Sequence, residues 1–166
     1  MPGQDALRPV ALAFRQATQA DRAALLAQMR LFYAEDRIAF DQARARTGVE
    51  ALLADPRNGE ALLWLDAQAQ VAGYAVMTLG FSLEQGGTYA LLDELYLSPA
   101  LRGGGLGRQA LAIIEQRARL RGVGRLRLEV NHHNAAAKRL YLSCGYLDEG
   151  RDLLTRSLSP LQEDRP

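Results

Sequence analysis

One cysteine, Cys144, and two adjacent histidines, His132 and His133, are all the thiol and imidazole chemistry in 166 residues. A lone cysteine excludes an internal disulfide and a multi-cysteine metal centre, and it suits a reducing compartment. Neighbouring side chains diverge on a helix or strand, so the histidine pair makes a poor metal site and no metal is expected. No stretch approaches the about 18 apolar residues of a membrane-spanning helix. The opening "MPGQDALRPVALAF" lacks the basic flank and the apolar run of about 7–15 residues that mark a signal peptide. A cytoplasmic protein without a membrane partner is the expectation. Charge of one sign is also missing: the net charge is +1 with both signs interspersed. Nucleic-acid binding usually leaves a broad basic footprint, so no nucleic-acid partner is expected.

What remains is a chain of 166 residues, 48% hydrophobic, long enough for one sizeable core and short for two ordinary domains. It reads as a single domain over 1–166, with loose termini at 1–10 and 159–166. "ALAFRQ" alternates as a first strand, and Thr18 with Asp21 resembles a capping box before a helix carrying Leu25, Leu26, Met29 and Phe32. Thr47 with Glu50 predicts a second, short helix ending near Ala54. "ALLWLD" and "VAGYAVMTLG" flank "AQAQ" as a hairpin, and residues 80–89, "GFSLEQGGTY", read as a loop. A fourth strand over 90–97 precedes the glycine stretch, and 106–121 is an amphipathic helix stopping at Gly122 or Gly124. "RLRLEV", "NAAAKRLYLSC" closed by Gly145, and "RDLLTRSL" read as strand, helix and last strand. The order is mixed α/β.

Between the fourth strand and its helix runs "LSPALRGGGLGRQAL". A helix start offers unpaired N–H groups and the positive end of the dipole, and glycines let a phosphate approach that backbone. Arg102 adds a fork of donors for phosphate oxygens. A flexible surface turn with an incidental arginine is the plain alternative. A Walker loop requires Gly-Lys-Ser/Thr and is excluded by the missing lysine. "GLGRQA" fits a dinucleotide fingerprint, with Glu129 at a suitable distance for a ribose hydroxyl. Only 37 residues follow Glu129, however, too few for the rest of a doubly wound sheet.

"LDELYLSPALRGGGLGRQAL" resembles the acetyl-CoA motif of the GNAT superfamily of N-acetyltransferases, Q/R-x-x-G-x-G/A, filled here by Arg102, Gly105 and Gly107. "NHHNAAAKRLYLSCGY" resembles the second family block, with Asn134, Ala137, Tyr141 and Gly145 in its positions. The first block is especially similar to small-amine enzymes of the diamine type. The resemblance implies a GNAT fold: a central, mostly antiparallel mixed sheet of about six to seven strands flanked by about four helices. It implies acetyl-CoA as co-substrate in a cleft between the fourth and fifth strands. The pantetheine would pair with Leu95, Tyr96 and Leu97, and the pyrophosphate would rest on Gly103, Gly104, Gly105, Leu106, Gly107 and Arg108. The Leu97 N–H would face the developing oxyanion, and a homodimer follows only by analogy with relatives.

Acyl transfer to an amine needs a deprotonated nucleophile, a stabilised oxyanion and a protonated leaving thiolate. An alkyl amine with a pKa of about 10.4 is only about one part in 10³ to 10⁴ neutral at pH 7, so a base is useful. Glu94 is the candidate, with binding of the substrate ammonium as its other role and Asp93 as the fallback base. Asn134, Ala137, Lys138 and Tyr141 fall on one helix face. That stripe would face the cofactor, with Tyr141 as the candidate acid for the leaving thiolate or, in the plain alternative, a core aromatic capping the sheet, Asn134 toward the pantetheine and Lys138, the only lysine, toward a phosphate. Cys144 reads as a packing residue rather than a nucleophile. Tyr33, Glu35 and Asp36 would form an acidic wall for a cationic amine or stand as solvated helix-end residues, with the first two helices and the 80–89 loop expected to select the substrate. The reading is therefore an N-acetyltransferase moving acetyl from acetyl-CoA to a primary amine of a small molecule, by direct transfer in a ternary complex. Its rivals are a protein lysine or N-terminal acetyltransferase and a non-catalytic acyl-CoA sensor.

Overall fold

A computed structural model describes residues 11–158; the termini expected to be loose, 1–10 and 159–166, lie outside the described residues. Five strands form one sheet in sequential order: β1 (Ala13–Gln16), β2 (Gly59–Leu65), β3 (Val71–Ser82), β4 (Gly87–Leu97) and β5 (Leu126–Leu128). The first four pair antiparallel, and β5 joins β4 in parallel after a crossover through a helix. Four α-helices accompany them: α1 (Arg22–Glu35), α2 (Gln42–Ala54), α3 (Leu106–Leu120) and α4 (Ala135–Ser143). One sheet face, with Leu63, Tyr74, Val76 and Tyr96, packs on α1 and α2. The other, with Trp64, Met77 and Leu92, packs on α3 and receives Leu140 and Tyr141 of α4. Because both faces are covered, the middle of β3 is buried at every residue from Ala72 to Met77 and loses the polar alternation of a half-exposed strand. No helix among the described residues is long and apolar enough to cross a membrane.

Local chemistry explains where the elements differ from expectation. The Asp21 carboxylate accepts the Thr18 N–H at 2.8 Å and a two-pronged bond from Arg15 at 2.6 and 2.7 Å. That box opens a single 3-10 turn, Gln19–Asp21, which leads into α1. The second box is not used. Asp41 caps α2 by accepting the Arg44 N–H at 3.0 Å, so the helix begins well before Thr47. The Thr47 hydroxyl instead donates back to the Ala43 carbonyl inside the helix. The expected 80–89 loop is mostly strand: β3 and β4 stay paired to Ser82 and Gly87, leaving only residues 83–86 to turn.

The sheet has five strands rather than six to seven, and the last expected strand, 151–158, is unpaired. Ion pairs of Glu149 with Arg127 and of Arg151 with Glu84 carry the chain past β5 to the tip of the β3–β4 hairpin. Leu154 and Leu158 beyond that point are 91% and 89% exposed.

One irregularity positions the site. The register runs Val76 to Glu94 and then Met77 to Leu92, so Asp93 is an extra residue, a β-bulge. The bulge shifts the phase of β4. Leu92, Leu95 and Leu97 face α3, whereas Tyr96 faces α1 and α2 with Glu94 two residues before it.

Candidate active site

Parallel pairing of β4 with β5 ends at Leu92 and Leu128, and the strands diverge beyond the bulge. The gap holds a cavity of about 250 Å³, whose walls include Asp93, Glu94, Glu129, Asn131 and Tyr141. The Ser98 N–H donates to the Ala72 carbonyl at 2.9 Å, which makes 72 and 98 a hydrogen-bonded pair. Alternation along an antiparallel ladder then leaves the 73/97 and 75/95 pairs non-hydrogen-bonded. The main-chain N–H and C=O of Leu95 and Leu97 therefore point away from β3, into the gap that β5 has vacated.

At the end of β4, Gly103, Gly104 and Gly105 all adopt left-handed backbone, with φ of 80°, 57° and 81°. A residue with a Cβ resists that conformation, and nothing lies within 4 Å of where a Cβ would sit at any of the three. The loop is an open cradle of bare backbone. The Leu106 N–H donates to the Gly103 carbonyl at 3.1 Å. Helix geometry leaves the N–H groups of Gly107 and Arg108, at the positive end of α3, without intrahelical acceptors. Gly107 has a second reason to be glycine, since a Cβ there would lie 3.0 Å from the Leu140 side chain. The Arg108 guanidinium donates to the Ser143 carbonyl and hydroxyl, each at 3.0 Å, tying α3 to the end of α4.

The end of α1 straddles this gap. Glu35 pairs with Arg102 at 2.7 Å, while the Arg102 Nε donates to the Leu97 carbonyl at 2.8 Å and its guanidinium lies over the Tyr96 ring. Arg102 is thus directed toward α1 and the end of β4, with its backbone at the mouth of the glycine loop. Asp36 reaches the other side, accepting from the Asn131 amide at 2.6 Å and pairing with His133 Nε2 at 3.1 Å.

Glu94 is the central titratable group. One carboxylate oxygen accepts from the Tyr33 hydroxyl of α1, and the other from the Tyr74 hydroxyl of β3 at 2.7 Å. Burial pushes its carboxyl above the ordinary range, opposed by the two phenol bonds and reinforced by the nearby Asp93 charge. Asp93 is solvent-accessible at the bulge, yet enough protein surrounds its carboxyl that burial pushes it up as well. On α4, the Asn134 side chain caps the helix by accepting the Ala137 N–H at 3.1 Å, and Lys138 pairs with Asp148 at 2.6 Å. Tyr141 packs its ring on Tyr146, 5.9 Å between centroids, and borders the cavity. Burial, with the Asp36 carboxylate in range, pushes its phenol up, so it stays protonated and able to donate.

Residues 26–146 match the acetyltransferase (GNAT) family. The chain belongs to that family. An IAA acetyltransferase of Azospirillum brasilense is 32% identical over 82 residues, which are 49% of this chain and 54% of that protein. The chain thus matches about half the length of this curated relative. An integron cassette protein from the mobile metagenome of Cole Harbour Salt Marsh is 33% identical, with a TM-score of 0.76 over 89% of this chain and 91% of its own. A predicted acetyltransferase from Clostridium acetobutylicum, solved with acetyl-CoA, shares the fold at 15% identity and a TM-score of 0.73, covering 87% and 96%.

In this GNAT chain, the cleft brings together Asp36, Asp93, Glu94, Leu95, Asn134, Ala137 and Tyr141. Tyr33 stands behind Glu94 rather than on the cavity wall, and Lys138 is committed to Asp148. The 83–86 turn lies at the far end of β4 from Glu94, about 20 Å along the strand. Cys144 ends α4 and packs against the core, outside the cavity wall. Sequence reasoning does not find Tyr74. Its link to Glu94 depends on the β3–β4 register and the bulge, and no local motif carries either.

Proposed function

We propose that the protein transfers the acetyl group of acetyl-CoA to a primary amine of a small molecule, by direct attack in a ternary complex. The observation that carries this reading is the cavity beside β4, whose wall includes Glu94, Leu95 and Tyr141, with β4 leading through Leu97 to the open glycine loop at the start of α3. Leu95 and Leu97 would hold the pantetheine as an added strand, and the Gly103–Arg108 amides would hold the pyrophosphate. The thioester supplies the electrophilic carbonyl. Glu94 takes a proton from the bound ammonium, directly or through water, and the freed amine attacks. The Leu97 N–H faces the developing oxyanion, a contact worth about 3 kcal/mol in other acyl-transfer enzymes. As the C–S bond breaks, Tyr141 gives its proton to the departing sulfur and regains one from the new amide nitrogen.

A cationic acceptor is supported by the wall itself, which carries Asp36, Asp93, Glu94 and Glu129 and no lysine or arginine among the described residues. A small acceptor is supported by Asp36, which spans from α1 to Asn131 and His133 and narrows the groove that an extended peptide would need. The test is CoA release from acetyl-CoA across polyamines, amino acids, aminoglycosides and peptides, with mass spectrometry of the product. Turnover on peptides alone, or on none, contradicts the reading.

The cradle gives a separate expectation. Gly105→Val places a β-branched residue at φ 81°, a strain of about 1–2 kcal/mol, and a side chain on the proposed phosphate surface. Calorimetry should show acetyl-CoA affinity falling at least about tenfold. Thermal unfolding should move by only a few degrees, about the effect expected of an exposed loop position. Unchanged affinity contradicts the phosphate assignment.

A further inference from the structure

We infer that Tyr33 and Tyr74 are positioning residues that clamp Glu94 from two elements, holding its carboxylate in one orientation and favouring its ionised, proton-accepting form. The inference rests on Glu94 being the base.

Each phenol takes a different carboxylate oxygen, so the carboxylate plane is pinned at both ends. Tyr74 lies on the same face of the sheet as Glu94 and is fully buried: Val76 is directly opposite Glu94, which makes Tyr74 its diagonal neighbour. Tyr33 comes from the last turns of α1. An aromatic floor fixes both rings. Phe32 meets Tyr74 at 6.3 Å and Tyr33 at 5.7 Å, Phe40 meets Tyr33 at 5.6 Å, and Tyr96 meets Tyr74 at 6.3 Å. The bulge at Asp93 is what turns Glu94 toward this floor; unbroken alternation would place it on the α3 face with Ala90 and Leu92.

The chemistry follows from what a phenol can give. Tyr33 and Tyr74 donate to an anion, and charge-assisted bonds of this kind are about twice as strong as neutral ones. Protonating Glu94 weakens both. The Asp93 charge on β4 works the opposite way, and the other titratable groups on the cavity wall, Asp36 at the end of α1, Glu129 after β5 and Tyr141 on α4, make no hydrogen bond to Glu94. The two tyrosines are thus the groups that oppose burial. Burial and the Glu94 carboxylate push both phenols far up, which keeps them as donors across the working pH range.

The titration reads the carboxyl group itself and needs no acceptor amine; only the separate check on the base assignment does. In protein carrying ¹³C-labelled glutamate side chains, the Glu94 signal is assigned by its loss in Glu94→Gln and then titrated. Tyr33→Phe and Tyr74→Phe should each raise its midpoint by about one unit, and the double variant by more. A merely structural role would lower thermal stability without moving the midpoint. If Tyr74→Phe fails to fold, Tyr33→Phe at the half-buried end of α1 decides alone. A midpoint that stays or falls in the variants overturns the inference while leaving Glu94 free to be the base. Full acetyl transfer by Glu94→Gln overturns the base assignment, and the positioning role with it, whatever the titration shows.

Discussion

Tyr141→Phe is expected to lower kcat by about 10² to 10⁴ while acetyl-CoA binding hardly changes. The substitution keeps the ring, its contact with Tyr146 and its place on the cavity wall, and deletes one hydroxyl. That hydroxyl has no hydrogen-bond partner among the described residues, so its removal leaves no buried group unpaired. The pushed-up phenol remains a proton donor throughout the neutral range. A CoA thiol with a pKa near that of cysteine, about 8.5, leaves only moderately well without a proton. An acyl donor with a more acidic thiol needs less help, so the Phe variant should recover preferentially with an activated thioester. Equal impairment with both donors, at normal binding of both, would return Tyr141 to a packing role.

Glu94→Gln should cost about 10² to 10³ in kcat/KM at pH 7 and progressively less toward pH 10. A base must be ionised to act, so on the proposed role of Glu94 the wild-type rate should rise with pH through the Glu94 midpoint. Burial sets that midpoint above the usual carboxylate range. In the variant only the amine's own ionisation remains, and the rise should move toward its pKa of about 10.4. Gln preserves the shape, and its amide can still accept from one tyrosine. A loss that is equal at every pH would instead make Glu94 a binding site for the ammonium.

The parts of the site that are legible in the sequence are those written in consecutive residues. The glycine cradle and the helix that follows it depend on backbone freedom and a dipole, both local properties. The parts that are not legible depend on register. Nothing in "LLDELYL" announces that Asp93 bulges, yet the bulge decides which face Glu94 takes and makes Tyr74 its partner. Arg102 illustrates a third case: its position beside the glycines is readable, but its pairing with Glu35, 67 residues earlier, is a contact between distant elements. The start of α2 differs from the reading on Thr47 and Glu50 because that box is a local pattern only, whereas the cap that forms is Asp41 and the Thr47 hydroxyl turns back into the helix. Alternation in "RDLLTRSL" predicts a final strand, but it cannot show that Arg151 is drawn aside by Glu84.

The central claim, that the gap between β4 and β5 with its glycine cradle receives acetyl-CoA, is tested most directly by titrating ¹⁵N-labelled protein with CoA and following the backbone amides. The account predicts saturable shifts at Gly103, Gly104, Gly105, Gly107 and Arg108, together with Leu95 and Leu97, and little change at the 83–86 turn. Saturable shifts centred elsewhere, or none at millimolar CoA, would contradict it.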